Sequence, residues 1–90
     1  MNKQDRKAID GLRAQLDRLK SEIEEVQSAI SDLAGSEQEK FDNMSEGLQQ
    51  SERGQAIEQA AGNLQMAGEA TEAALQSLDE AMSALDDAAI

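Results

Sequence analysis

The chain has 90 residues, of which 39% are hydrophobic, and Phe41 is its single aromatic residue. It is therefore expected to form one domain, residues 1–90, whose core comes from helix seams rather than from a broad globular interior. It has no cysteine and no histidine, which excludes disulfides, thiolate chemistry, imidazole bases and the usual zinc ligands.

The formal net charge is −11, but it is unevenly distributed. Residues 1–20 are net positive, whereas the rest of the chain is strongly acidic and has Lys40 and Arg53 as its cations. No pairing of a nucleophile with a base is visible, and the acids lack the loop spacing of a calcium site. We expect no enzymatic activity, cofactor or metal. Without a secretory signal or about 18 consecutive apolar residues, we expect a cytoplasmic protein with no membrane partner.

The first predicted helix covers residues 3–34. Its apolar residues alternate spacings of three and four through four heptads. They are Ile9, Leu12, Leu16, Leu19, Ile23, Val26, Ile30 and Leu33. Gly35 then stands where a helix commonly ends, and Ser36 with Glu39 forms a capping box, so we predict a turn at residues 34–36.

The segment 36–50 breaks the heptad pattern. Gly47 and Gly54 each weaken a helix by about 1 kcal/mol relative to alanine, which favours an irregular stretch or a short helix here. Ser51 is a suitable N-cap for a third helix over residues 52–88. The alternative is one continuous helix from Ser36, because no proline interrupts the segment.

The third helix repeats alanine every seven residues. Its two seam series are Ile57, Leu64, Thr71, Leu78, Leu85 and Ala60, Ala67, Ala74, Ala81, Ala88. Thr71 interrupts the apolar pattern and is interpreted as a residue that sets register. A third series, Ala61, Gly68, Leu75, Met82 and Ala89, widens the stripe. A face this wide suits two or more neighbouring helices, which favours a homo-oligomer.

The two long helices are predicted to lie antiparallel. Residues 3–34 and 55–88 would be about 48 and 51 Å long, and such matched lengths suit a hairpin. The basic start and acidic end of the chain would also lie side by side. The sequence therefore predicts an all-α fold, a long helical hairpin with coiled-coil heptads that assembles into a homo-oligomeric helical bundle. Whether the pairing is within or between chains stays open.

The irregular segment is the candidate ligand site. Arg53 and Ser51 lie at a predicted helix N-terminus, where free N–H groups attract anions, and symmetry would multiply them in an oligomer. The neighbouring candidates are Phe41, Asn43 and Lys40. The alternative is structural: the apolar residues plug the end of the bundle, Ser51 caps a helix, and Arg53 pairs with an acid.

An acidic stripe follows the third helix at Glu58, Glu72, Asp79 and Asp86. Acids spaced along a rod can imitate the phosphates of DNA, although solvated helix faces also look like this. Direct nucleic-acid binding is not expected, because most of the molecule would repel phosphate.

The run FDNMSEGLQQSERG, followed by evenly spaced leucine and alanine, resembles a segment of a widespread set of short, uncharacterised proteins of phages, prophages and gut bacteria. The similarity covers residues 37–84. Its specific part is Asp42, Asn43, Leu48, Gln49, Ser51, Glu52 and Arg53. This chain has Ser45 where proline is common in that set. The resemblance implies a mobile-element origin, in which small helical oligomers often block host defences.

We therefore expect a non-enzymatic homo-oligomeric binding protein, an accessory or anti-defence protein of a phage or other mobile element. Its partners would be copies of itself and either a small anionic, nucleotide-type signal or a host defence protein. The alternatives are a purely structural or scaffolding coiled coil and, third, an acidic DNA-mimic inhibitor.

Overall fold

The computed structural model describes residues 1–89, which form three helices and no strand. The helices are α1 (Lys3–Asp42), α2 (Glu46–Gln49) and α3 (Glu52–Ala88). The long helices α1 and α3 pack against each other, and the Cα trace measures 68 × 15 × 14 Å. The predicted all-α hairpin is confirmed, and its pairing is within one chain.

The predicted turn at residues 34–36, and with it the helix end at residue 34, is wrong. Helix α1 continues to Asp42, and no glycine among the described residues has a positive φ. The apolar seam continues past the glycine, since Ala34 just before it is 7% exposed and Phe41 after it is half-buried. Packing of these residues outweighs the cost of about 1 kcal/mol for Gly35 in a helix.

The chain reverses between Asn43 and Ser51. Asn43 is the C-cap of α1, Ser45 is the N-cap of α2, and Ser51 is the N-cap of α3. The predicted bounds 52–88 of the third helix are confirmed. A short helix does lie within residues 36–50, but only at Glu46–Gln49, and the alternative of one continuous helix from Ser36 is wrong.

Hydrogen bonds from side-chain amides connect α2 to both α1 and α3. The Nε2 of Gln49 donates to the carbonyl of Phe41 at 3.0 Å, and the Nε2 of Gln55 donates to the carbonyl of Gln49 at 2.9 Å. At Gly54 the backbone of α3 comes so close to α2 that a Cβ there would lie 2.2 Å from the carbonyl oxygen of Leu48. Only glycine fits that contact.

The core of the hairpin is a narrow seam. Its buried side chains are Ile9 and Ala34 on α1 and Ala61, Leu75 and Met82 on α3. The series that includes Ala61, predicted to widen the stripe, therefore lies inside the hairpin. Of the predicted seam, Leu16, Ile23, Ile30, Ile57, Leu64, Leu78 and Leu85 are half-buried beside it.

Thr71 lies in the seam, and its side-chain hydroxyl is hydrogen-bonded. Its hydroxyl donates to the carbonyl of Gly68 in the same helix at 2.8 Å. Because Thr71 is satisfied within α3, its hydrogen bond does not itself fix the register between the helices.

Ion pairs between the basic start and the acidic end of the chain confirm the predicted antiparallel charge pairing. The Nε of Arg13 lies 2.7 Å from Asp86 Oδ1, and the Nζ of Lys20 lies 2.8 Å from Asp79 Oδ1. Hydrogen bonding to Asp79 raises the pKa of Lys20 above its ordinary value of 10.5. The contribution of this pair to stability is therefore present below that value and is lost as the pH rises through the raised pKa.

Reversing one paired acid should weaken the hairpin slightly. We expect Asp86→Lys to lower the melting temperature at low salt, because it removes the bond to Arg13 and places two cations together. The effect should shrink at high salt, since the pair is exposed and screened. The matched control is Asp87→Lys, which changes the net charge equally but makes no ion pair with the described residues. Equal melting temperatures for the two variants would contradict this assignment.

Candidate functional site

One flank of the hairpin is an open apolar surface. On α1 a row of large aliphatic side chains is about half exposed: Leu12 52%, Leu19 46%, Val26 52% and Leu33 56%. We call these four residues the aliphatic row. On α3 a row of small side chains is exposed: Ala67, Ala74, Ala81 and Ala88. We call these four residues the alanine row. Both rows belong to the seams predicted from the sequence, yet neither is buried within the hairpin.

The two rows lie on the same side of the molecule. Each residue of the aliphatic row follows an inward residue of α1 by three positions, as Leu12 follows Ile9. Each residue of the alanine row follows a half-buried residue of α3 by three positions, as Ala67 follows Leu64. Seen along its own helix axis, each row is rotated by the same angle and in the same sense from the residues that face the other helix. In an antiparallel pair, this places both rows on the same flank. We call the two rows together the apolar face.

The positions at the rim of the apolar face are almost uncharged. On each helix these positions repeat every seven residues, and those beside the row come three residues after one of its members or four residues before it. They are Ala8, Gln15, Glu22, Ala29 and Ser36 on α1 and Ala56, Asn63, Ala70, Ser77 and Ala84 on α3. Glu22 is the one charged residue among them. In a chain where 30% of residues are charged, such a surface is unlike an ordinary solvated helix face.

The opposite flank is polar, and side-chain contacts bridge it. Arg13 pairs with Asp86, Lys20 pairs with Asp79, and the Nε2 of Gln27 donates to Glu72 Oε2. These three contacts recur every seven residues along α1 and every seven residues back along α3. The hairpin as a whole is therefore amphipathic, with one bridged polar flank and one open apolar flank.

A groove of about 460 Å³ opens on the polar flank near the middle of the hairpin. Small residues, Ala34 and Gly35 on α1 and Gly68 on α3, leave the space between the helices. Its polar lining includes Glu69 and Glu72, and Glu72 is bonded to Gln27 across the groove. The sequence interpretation did not locate this groove, although the facing small residues are the signal for it.

Four of the five residues predicted for a ligand site make contacts within the hairpin, and those of Asn43 are made by its backbone. Ser51 Oγ accepts from the N–H of Gly54 at 3.2 Å, and its own hydroxyl bonds the carbonyl of Leu48. The backbone N–H of Asn43 bonds the carbonyl of Glu39, and the Nζ of Lys40 lies 2.8 Å from Glu37 Oε1. Phe41 is half-buried and accepts from Gln49. These contacts agree with the structural alternative for this segment.

Arg53 is the exception at the turn. It lies in the first turn of α3, it is exposed, and its side chain makes no ion pair or hydrogen bond with other residues of the described range 1–89. The predicted pairing of Arg53 with a neighbouring acid, which was the structural alternative, is therefore wrong within that range. Its guanidinium stands free at the end of the hairpin.

The acidic stripe is largely engaged within the chain. Glu72, Asp79 and Asp86 contact Gln27, Lys20 and Arg13 respectively. Acids that are held by cations and an amide of the same chain present a weaker imitation of a phosphate backbone than free acids would. The geometry thus gives the DNA-mimic hypothesis no support.

Residues 1–89 include no group of three or more Asp, Glu, His or Cys side chains placed to hold a metal ion. None of the helices within that range has the length and apolar content needed to cross a membrane.

Comparison with models of protein families, with curated proteins and with solved structures found no match for this chain.

Proposed function

We propose that this chain is a non-enzymatic binding protein that works as a homo-oligomer of helical hairpins. The observation that carries the proposal is the apolar face, where Leu12, Leu19, Val26 and Leu33 stay about half exposed along one flank. Large aliphatic side chains in a regular row are typical of a helical interface. Self-association would cover this face and leave the polar flank and the turn in contact with solvent.

The turn end is the proposed site for a target. Arg53 is exposed at the N-terminus of a 37-residue helix, where the helix dipole favours an anion. A single arginine among Asp42, Glu46 and Glu52 would hold a phosphate weakly. Copies brought together by symmetry would supply two or more guanidinium groups to one ligand. This arrangement favours a small anionic, nucleotide-type ligand, with the surface of a host protein as the alternative target.

The biological setting of the proposal rests on the resemblance of residues 37–84 to proteins of phages and prophages. An accessory protein of a mobile element that captures a defence signal, or binds a defence protein, agrees with a small, acidic, helical molecule. A purely structural coiled coil is the rival function, and it would need the apolar face but not a free Arg53.

Substitution of Arg53 separates these functions. We expect Arg53→Ala to abolish the rise in melting temperature that a cyclic dinucleotide or another nucleotide probe produces by mass action, while the oligomer mass stays unchanged. The matched control is Lys40→Ala, since Lys40 is already paired with Glu37. Binding to the nucleotide probes that is unchanged in Arg53→Ala would contradict an anion site at this residue. A native protein that no nucleotide stabilises would leave the scaffolding function as the better account.

A further inference from the structure

We infer that the apolar face is covered by a second copy of this chain, related by a two-fold axis parallel to the long axis of the hairpin. In this arrangement α1 of each copy lies on α3 of the other, and both turns are at the same end of a four-helix bundle. The inference rests on the proposed homo-oligomeric function and adds the partner, the contact residues and the orientation.

The register of the hairpin matches large residues with small ones. The contacts Arg13 with Asp86 and Lys20 with Asp79 fix which residues lie at the same height on the two helices. The same register places each member of the aliphatic row level with a member of the alanine row. The level pairs are Leu12 with Ala88, Leu19 with Ala81, Val26 with Ala74, and Leu33 with Ala67.

A two-fold axis along the hairpin preserves height and exchanges the two helices. Each large side chain of one copy then lies on the alanine of the other copy at its own level, so large residues fill the space above small ones. An axis across the hairpin would instead place the aliphatic row on itself and the alanine row on itself. That packing would crowd one half of the interface and leave the other half with gaps.

Charge favours the same arrangement. Helix α3 is strongly acidic, and Arg53 is its single cation, so stacking α3 on α3 would bring like charges together. Stacking α1 on α3 repeats the complementarity already present within the hairpin. Outside the rim positions, at the outer edge of each α1–α3 contact between copies, Arg18 would lie nearly level with Glu80 of the second copy, and neither residue has an ion pair within the described chain.

The size of the apolar face suits a stable dimer. The two rows extend about 32 Å along α1 and α3, the rim positions continue beyond them, and two packed helices are roughly 20 Å wide. The face therefore offers about 600 to 800 Å², close to the roughly 800 Å² that each partner buries in a typical specific interface.

The consequence for the turn is direct. With the axis along the hairpin, both α2 segments and both Arg53 side chains lie at one end of the bundle. With the axis across the hairpin, they would lie at opposite ends of a molecule whose Cα trace is 68 Å long.

Distance measurement between spin labels tests the orientation. The chain has no cysteine, so one introduced cysteine gives one label per copy. Gly47→Cys places the label in the turn, where a Cβ meets nothing within 4 Å. Pulsed electron paramagnetic resonance should give a distance of about 20 to 35 Å between the two labels, as expected for adjacent turns of packed helices. A separation near 60 Å would overturn the orientation.

Two further label sites make the outcomes distinct. Gln50→Cys, also exposed in the turn, should repeat the short distance, which removes any dependence on one glycine substitution. Ser28→Cys is exposed away from the apolar face, but along the helix axis it lies near the middle of the rows, so its two labels should be much closer than about 60 Å for either axis. A short distance at Ser28 with a long one in the turn would overturn the orientation while leaving the homo-oligomer intact. No defined distance at any site, together with a monomeric mass, would overturn both the inference and the proposed function.

Discussion

Replacing Gly54 by alanine is expected to destabilise the hairpin by about 2 kcal/mol or more, as for overpacking of a close contact. The added Cβ would lie 2.2 Å from the carbonyl oxygen of Leu48 and 2.6 Å from that of Gln49, and neither backbone atom can move without displacing α2. For a domain of this size, such a loss corresponds to a decrease of about 8 to 16 °C in melting temperature. Thermal unfolding followed by circular dichroism measures it.

The matched control is Gly62→Ala in the same helix. A Cβ at Gly62 meets nothing within 4 Å, so alanine should stabilise α3 by up to about 1 kcal/mol through its higher helix propensity. The two substitutions add the same methyl group and should change the melting temperature in opposite directions. If Gly54→Ala were as stable as Gly62→Ala, the close approach of α2 to α3 would not exist.

The second large effect concerns the apolar face. The double substitution Leu19→Asp with Val26→Asp should convert the proposed oligomer to monomers at micromolar concentration. It would bury carboxylates without partners in the interface and remove two of the four large contacts, raising the dissociation constant by more than about 100-fold. Because both residues are about half exposed in the hairpin, the helical content at low temperature should change little.

The control adds the same charges elsewhere on α1. Ser21→Asp with Ser28→Asp has the same spacing of seven, and both serines are exposed away from the apolar face. Sedimentation equilibrium should give the native mass for this control and half that mass or less for the first variant. Equal masses for the two double variants would mean that the aliphatic row takes no part in assembly.

The sequence predicted the elements that depend on repeated spacing. The apolar periodicity of α1 and α3 and the charge difference between the chain ends were sufficient for an antiparallel hairpin, and Ser51 correctly marked the start of α3. The turn at residues 34–36 failed because a local stop signal, Gly35 followed by Ser36, was weighed above packing. Ala34 is buried and Phe41 is half-buried, and this packing, which only tertiary contacts reveal, keeps the segment helical despite the local stop signal.

The sequence identified the residues of the seams, but it did not predict which of them are buried in the hairpin and which are exposed. Heptad spacing identified both rows, yet it cannot distinguish a series that packs within the hairpin from one that stays open. The structure makes that distinction, since Met82 is 5% exposed whereas Leu33 is 56% exposed. The candidate ligand residues were chosen by composition and position. The side chains of Ser51 and Lys40 are held by a helix cap and a local ion pair, whereas the guanidinium of Arg53 has no such contact in the described chain.

Self-association through the apolar face is the property on which the proposed function depends most directly. Light scattering coupled to size-exclusion chromatography, run on the native protein at micromolar concentration, measures it. The account predicts a mass of twice the 9.7 kDa chain, or a higher multiple of that dimer. A monodisperse species of 9.7 kDa across that concentration range would contradict it, because the aliphatic row would then be exposed without a partner copy.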